Sequence, residues 1–352
     1  MIELGDVVDV LKKYDDDTFS GCFCDPPYGL NFMGKTWDGA VPDVSVWSEV
    51  YRTMKSGSYI LAFGGTRTWH RLAVAIEDAG FNIRDTIMWV YGTGFPKGHN
   101  IGKSVGEIDW NGYGTALKPA YEPVIMAMKP VDKTYAHNAE KHGLAGINID
   151  ASRVGNEVMS YDGFNANHPY PSTRFADRST YTPIDPKDMN REVTGRYPAN
   201  LVHDGSDEVV KNFPDRKTTY VTKDHKNNRS TKSAVGNLGH PGQQGYDDDG
   251  SASRFFYVPK PSQKERNEGF GKNTHPTVKP IALCEYLAKM ILPPNEHKLL
   301  VPFSGSGSEV IGALNVGWKD VTGIEISEEF VEIAKARIEY HCGSKGLEKF
   351  FV

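Results

Sequence analysis

Residues 21–29 read Gly-Cys-Phe-Cys-Asp-Pro-Pro-Tyr-Gly, and no other run restricts the fold as much. The apolar stretch ahead of Asp25 is expected to be a buried strand. Pro26 and Pro27 stop it, because neither can donate to a ladder and both fix φ. Gly29 lets the chain turn away. The outcome is a stiff loop at a strand's carboxyl end, with a carboxylate on one side and the Tyr28 ring on the other. Open α/β sheets bind their ligands at that edge. An ionised carboxylate only accepts hydrogen bonds. Outward-facing backbone carbonyls also accept, and a tyrosine face stacks on flat rings. The matching ligand is a flat ring carrying an amino group with two hydrogens to give, which describes adenine and cytosine. The plainer alternative is a proline-rich surface loop with a capping Asp and an exposed Tyr.

Around this loop the chain alternates short apolar runs with helical spacing. Residues 1–5 read as a strand ending at Gly5-Asp6, where Asp6 either faces a ligand or caps the following helical turn. Residues 31–41, including Lys35 and Asp38, read as a mobile flap. A helix is expected over 44–55, closed by Gly57, then a buried strand over 58–63. A second helix over 69–79 stops at Gly80. Strands follow at 81–91 and 121–129, with a glycine-rich loop at 92–97 and no clear helix between them. The pattern predicts an α/β fold: a Rossmann-like sheet, mostly parallel, with an antiparallel edge strand.

From about residue 130 to 253 the periodicity fades. Residues 161–181 are rich in aromatic, proline and small polar residues, and residues 211–267 carry eleven Lys and Arg against six Asp and Glu. The whole chain of 352 residues has a formal charge of −5, so any attraction to nucleic acid must be local, and this basic stretch is where phosphates would be met. A plain linker is the alternative. Residues 239–249 read as a mobile tip. The four cysteines, Cys22, Cys24, Cys284 and Cys342, have no metal-site spacing and are expected as free thiols. No metal is called for. Without a long apolar run or a signal-peptide pattern the chain reads as soluble and cytoplasmic, with no membrane partner.

Order returns near Arg254. An amphipathic helix over 281–291 is broken by Pro293-Pro294, and a buried strand over 298–303 runs into Phe303-Ser304-Gly305-Ser306-Gly307. A helix, a strand ending near Glu325 and a last helix over 328–340 follow. Strand, glycine turn, helix, strand and acid form the nucleoside-binding half of a Rossmann-like sheet, in which the acid can take both ribose hydroxyls. No Gly-Lys-Ser/Thr accompanies the turn, and Gly312 comes too late for a full Gly-x-Gly-x-x-Gly, so a nucleoside without a pyrophosphate, such as S-adenosylmethionine, fits best.

Taken together these motifs resemble the β group of DNA amino-methyltransferases, which methylate adenine N6 or cytosine N4. Asp25-Pro26-Pro27-Tyr28 is similar to motif IV, and Phe303 to Gly307 to motif I. The segment His275-Pro276-Thr277-Val278-Lys279-Pro280 resembles motif X, which closes over the methionine end of the cofactor. Gly5-Asp6 resembles motif III, whose acid meets the cofactor's adenine. The order of the motifs matches that group, and the likeness covers about residues 1–130 and 254–341. One departure, Val301 where many members carry Asp, bears on a single polar contact to the cofactor.

The resemblance implies a site-specific DNA methyltransferase with three parts: a catalytic half at 1–130, a target-recognition region at 131–253, and a cofactor half at 254–352. The substrate would be double-stranded DNA with its base flipped out of the stack, and a homodimer is left open. Asp25, Pro26, Pro27 and Tyr28 would grip the base. Asp6, His275, Thr277, Lys279, Phe303, Ser304, Gly305, Ser306, Gly307 and Glu325 would hold S-adenosylmethionine. Asp at the head of the loop favours adenine N6, since cytosine N4 members more often carry Ser there. From other classes, Pro214-Asp215 with Asp224-His225-Lys226 formally fits a magnesium-dependent nuclease, and a DNA-binding module without catalysis also remains. Related enzymes acting on RNA or on protein glutamine usually begin the loop with Asn.

Overall fold

The computed structural model describes residues 1–30, 38–92, 94, 98–106, 108–161, 191–216, 250–259 and 265–343. Several expectations therefore lie outside the described residues: most of the flap, most of the aromatic stretch, the core of the basic stretch with its tip, and Asp224 to Lys226 of the nuclease-like pattern.

The first part of the chain forms β1 (Ile2–Leu4), α1 (Val7–Leu11), β2 (Phe19–Cys24), α2 (Val44–Thr53), β3 (Met54–Phe63), α3 (Trp69–Asp78), β4 (Asn82–Val90), a short α4 (Ile101–Val105) and β5 (Tyr121–Met128). The middle carries α5 (Tyr135–His142), β6 (Val154–Tyr161), β7 (Arg191–Arg196), β8 (Leu201–His203), α6 (Asp207–Val210), β9 (Asp215–Arg216) and β10 (Gly250–Ser251). The last part forms α7 (Ile281–Met290), β11 (Lys298–Pro302), α8 (Ser308–Asn315), β12 (Asp320–Glu325) and α9 (Glu328–Cys342).

Eight strands make one sheet in the order β1-β12-β11-β2-β3-β5-β4-β8. Neighbours are parallel except at β5, which runs against both β3 and β4. The expected antiparallel strand thus sits near that end of the sheet, with the three-residue β8 outermost and parallel to β4. Because side chains alternate across a strand, Phe23, Leu61 and Val301 enter one apolar layer with α7 and α8. Cys22, Cys24, Ile60, Ala62 and Leu300 enter the other, with α1, α2 and α3. Covering both faces explains the unbroken apolar runs.

The helices follow their local signals. Asp43 caps α2 by accepting from the Ser45 amide at 2.8 Å, while Trp47 and Val50 are wholly buried on its inner face. Gly57 does not end that helix. The chain becomes extended at Met54, and Gly57 sits inside β3 at φ +80°, its amide donating to the Lys129 carbonyl at 3.0 Å. A bulge, not a stop, is what this glycine permits. Two described parts of the middle region are also more tied to the sheet than the fading periodicity suggested: α5 packs on β3, and Val202 and His203 of β8 are buried. The cysteines are free, three of them buried. Among the described residues no helix is long and apolar enough to cross a membrane.

Candidate active site

β2 and β11 are parallel neighbours with Leu300 opposite Cys22. The same register carried forward brings Asp25 level with Phe303, so the Pro-Pro loop and the glycine turn leave the sheet side by side. This is the carboxyl edge on which α/β folds place ligands.

The Pro-Pro loop owes its shape to a residue that sequence reasoning placed on a flap. Asp38 is 2% exposed, and its carboxylate accepts from the amides of Tyr28 (2.7 Å), Gly29 (2.9 Å) and Leu30 (3.2 Å). The Thr68 hydroxyl donates to the Tyr28 carbonyl at 2.6 Å. Gly29 sits at φ +66°, and a Cβ added there would stand 2.8 Å from the Val41 amide nitrogen, so no side chain fits. Prolines alone do not stiffen the loop; a buried carboxylate ties down three successive amides.

Asp25, Tyr28 and Lys279 meet in one cluster, joined by Glu122 from β5. The Tyr28 hydroxyl lies 2.8 Å from Asp25 Oδ1 and 3.0 Å from Glu122 Oε2. The Lys279 ammonium donates to Asp25 Oδ2 at 2.6 Å and lies 3.2 Å from Glu122 Oε2. It also sits 4.6 Å from the centre of the Phe63 ring. Burial opposes the Lys279 charge, yet Asp25 and Glu122 outweigh it and raise the ammonium's pKa above the ordinary lysine value. Burial, then Asp25 and Glu122, push the Tyr28 phenol up, so it stays protonated. Pro26 is buried beside them and Pro27 half-buried.

The glycine turn follows at once. Phe303 adopts φ +63°, Gly305 +49° and Gly307 +82°. A left-handed Phe is costly; here its ring is held against Trp47, 6.4 Å between centres. The Gly305 amide donates to Glu325 Oε2 at 2.9 Å, and the Ser327 amide to Oε1 at 2.9 Å. Glu325 is 8% exposed, and burial raises its pKa. The turn is backed by Arg337, whose Nη1 donates to the Ser306 carbonyl at 2.6 Å and to the hydroxyls of Ser306 and Ser308 at 3.0 and 3.2 Å. Ser304 is buried, its amide on the Ile324 carbonyl at 2.8 Å.

His275 lies directly on the turn. A Cβ at Gly305 would stand 2.8 Å from His275 Nε2, and the ring meets Phe330 edge-on at 4.5 Å. Burial lowers its pKa to about 4, so the imidazole is neutral near pH 7. Its Nδ1 faces the Thr277 carbonyl, and the exposed Thr277 side chain reaches no described partner in the turn. Asp6 takes the capping role, accepting from the Val8 amide at 2.9 Å. It stays beside the end of β12, because the Gly5 amide donates to the Glu325 carbonyl at 2.9 Å.

The expected residues therefore fall into two adjoining groups. Lys279, read with the cofactor segment, has its ammonium on the Asp25 side. Sequence reasoning missed Glu122 and Glu309. Glu309, in the first turn of α8 and 4% exposed, has a carboxyl raised to about 7 by burial and by the charge of Asp25. Neither carries a local motif. Among the described residues no cluster of His, Cys, Asp and Glu suits a metal ion.

A protein-family model described as DNA methylase matches residues 19–336. The Type II methyltransferase M.HindIII of Haemophilus influenzae is 32% identical over 116 residues, 30% of this chain. The matched stretch spans 38% of the length of that relative. Among solved structures, the M1.HpyAVI–SAM complex is 17% identical with a TM-score of 0.45, covering 96% of this chain and 98% of that one. The PvuII DNA methyltransferase, described as cytosine-N4-specific, is 13% identical with a TM-score of 0.48, covering 96% and 85%.

Proposed function

The chain belongs to the DNA methylase family, and from that premise we propose that it transfers a methyl group from S-adenosylmethionine to the exocyclic amino nitrogen of a base in double-stranded DNA. Adenine N6 is the acceptor we favour, because Asp25 heads the loop; cytosine N4 is the alternative. The observation that carries this reading is the shared sheet edge, where the register of β2 and β11 sets the Asp25 loop beside the Phe303–Gly307 turn.

The donor set suits the cofactor. A carboxylate offers about four lone-pair sites, and Glu325 spends one on each oxygen for the Gly305 and Ser327 amides. One site per oxygen is left for two vicinal ribose hydroxyls. Gly305, Ser306 and Gly307 allow close approach of the backbone, Phe303 and Asp6 flank the nucleoside end, and His275 and Thr277 cover the methionine end. When bound, S-adenosylmethionine supplies a methyl group activated by its sulfonium.

The target base must leave the stack, since its amino group is paired inside the duplex. Tyr28 stacks on it. Asp25 and the Pro26 carbonyl accept its two amino hydrogens, which draws the nitrogen lone pair out of conjugation and toward the cofactor side. The surplus proton leaves the nitrogen through the Asp25 carboxylate. Positioning supplies much of the acceleration. Residues 131–253 carry sequence recognition, between the catalytic half at 1–130 and the cofactor half at 254–352. Such an enzyme works in the cytoplasm of a bacterial cell or phage-infected host.

The test is incubation of the protein with tritiated S-adenosylmethionine and unmethylated bacterial genomic DNA, then digestion and mass spectrometry of the nucleosides. N6-methyladenine is the expected product. N4-methylcytosine would move the acceptor, and no label in DNA despite cofactor binding would defeat the reading.

A further inference from the structure

Glu122 lies outside the motifs read from the sequence, yet it stands behind the base-gripping loop. β5 runs antiparallel to β3, so its first residues reach the edge where β2 and β3 end. One oxygen, Oε2, faces both the Tyr28 hydroxyl at 3.0 Å and the Lys279 ammonium at 3.2 Å. The other, Oε1, accepts from the Tyr91 hydroxyl at 3.4 Å. Those same two groups, Tyr28 and Lys279, hold the two oxygens of Asp25, at 2.8 and 2.6 Å.

We propose that Glu122 is a positioning residue for methyl transfer, acting through Tyr28 and Lys279 to set the plane of the Asp25 carboxylate and the tilt of the Tyr28 ring. The proposal rests on the methyl-transfer reading above. A lone Asp carboxylate turns about its side-chain bonds, whereas gripping an amino group along defined directions needs its plane held to within roughly 10–20°. Here a phenol fixes one oxygen and an ammonium the other, and each leaves a lone-pair site open.

The ammonium is ringed by oxygens. It has three hydrogens, and three oxygens surround it: Asp25 Oδ2 at 2.6 Å, Glu122 Oε2 at 3.2 Å and the Tyr28 hydroxyl at 3.2 Å. Its side chain is 6% exposed, with Asp25 at 15% and Glu122 at 23%. Charges so shielded from water and salt hold one another more firmly than surface pairs. Without Glu122, Lys279 keeps one carboxylate and the Tyr28 hydroxyl keeps one acceptor. Both are then free to swing about Asp25, and the plane they set is lost.

The test compares wild type with Glu122→Ala, Glu122→Gln, Tyr28→Phe and the double variant Glu122→Ala/Tyr28→Phe. Single-turnover transfer of tritiated methyl to unmethylated bacterial genomic DNA is measured beside calorimetric affinity for S-adenosylmethionine. Glu122→Ala is expected to slow transfer by about 100-fold, the scale of a small misplacement, with cofactor affinity within about twofold. Glu122→Gln keeps an acceptor for Tyr28 and should regain about tenfold of that loss. The double variant should be no more than about twofold slower than the slower single one, because both changes break one linkage. Wild-type transfer in Glu122→Ala, an equal loss in cofactor affinity, or multiplying effects in the double variant would overturn the proposal. A wild-type protein that binds cofactor but labels no DNA would instead bring down the underlying reading, and this one with it.

Discussion

The two halves of the site are built by different means. The side we assign to the base is made of side-chain charges drawn from distant parts of the chain: Asp25 after β2, Glu122 on β5 and Lys279 ahead of α7. The side we assign to the cofactor's nucleoside is made of backbone. Three alternate positions in left-handed backbone, Phe303, Gly305 and Gly307, shape a turn, and Glu325 receives the Gly305 amide. The first kind of pocket gains directional strength from shielded charge, and each member depends on the others. The second gains closeness of approach, and depends on there being no side chain. The contrast teaches that binding and chemistry are separable here, and mutations should separate them.

Asp25→Ala gives the sharpest division. Transfer should fall by at least about 10³-fold, as for loss of a central electrostatic group, while calorimetry finds S-adenosylmethionine bound as in wild type. Transfer at the wild-type rate would dissolve the distinction. On the other side, Gly305→Val forces a Cβ onto His275 Nε2 at a φ of +49°. Cofactor affinity should drop by about 100-fold at a strained, crowded site, and saturating cofactor should restore much of the transfer rate. Glu325→Ala removes the acceptor for two hydroxyls and should weaken cofactor binding by about tenfold, the worth of roughly one net hydrogen bond or two. Unchanged affinity in calorimetry would remove Glu325 from the ribose.

The smallest expected effect lies where the two halves touch. The Glu309 carboxyl is raised to about 7 from 4.5. A carboxyl whose folded value lies above its unfolded one weakens the fold as it ionises: no penalty exists below the unfolded value, it grows between 4.5 and 7, and it is complete above 7. Glu309→Gln should therefore raise the free energy of unfolding at pH 8, measured by denaturant titration, by on the order of 1 kcal/mol, and much less at pH 5. An equal gain at both values would show that burial, not ionisation, governs this residue.

How far each half was legible follows from the same contrast. The glycine turn, Glu325 and the strands on either side are local features, so spacing announced them: β11 ends within one residue of the expected strand, and β12 ends at Glu325. The Pro-Pro loop was equally plain. Its fastening was not: Asp38 looked like part of a flap because nothing in its neighbours marks a carboxylate that binds three amides. Gly57 was read as a stop because glycine ends helices more often than it bulges strands. Glu122 lies 94 residues from Tyr28, and Lys279 lies 254 from Asp25. Only the closing of the sheet brings them together, and no pattern along the chain records that meeting. The strand β8 escaped notice for a related reason: three residues are too few to show a period.

The seam between β2 and β11 has a consequence for synthesis. A ribosome makes Asp25 early and its ammonium partner 254 residues later, and the strand that settles beside β2 comes later still. Until then the nascent polypeptide carries the Pro-Pro loop without Lys279 and without the glycine turn alongside. On the reading proposed above, a chain cut short in its middle third would hold the Pro-Pro loop without its ammonium partner and without the turn that settles beside it.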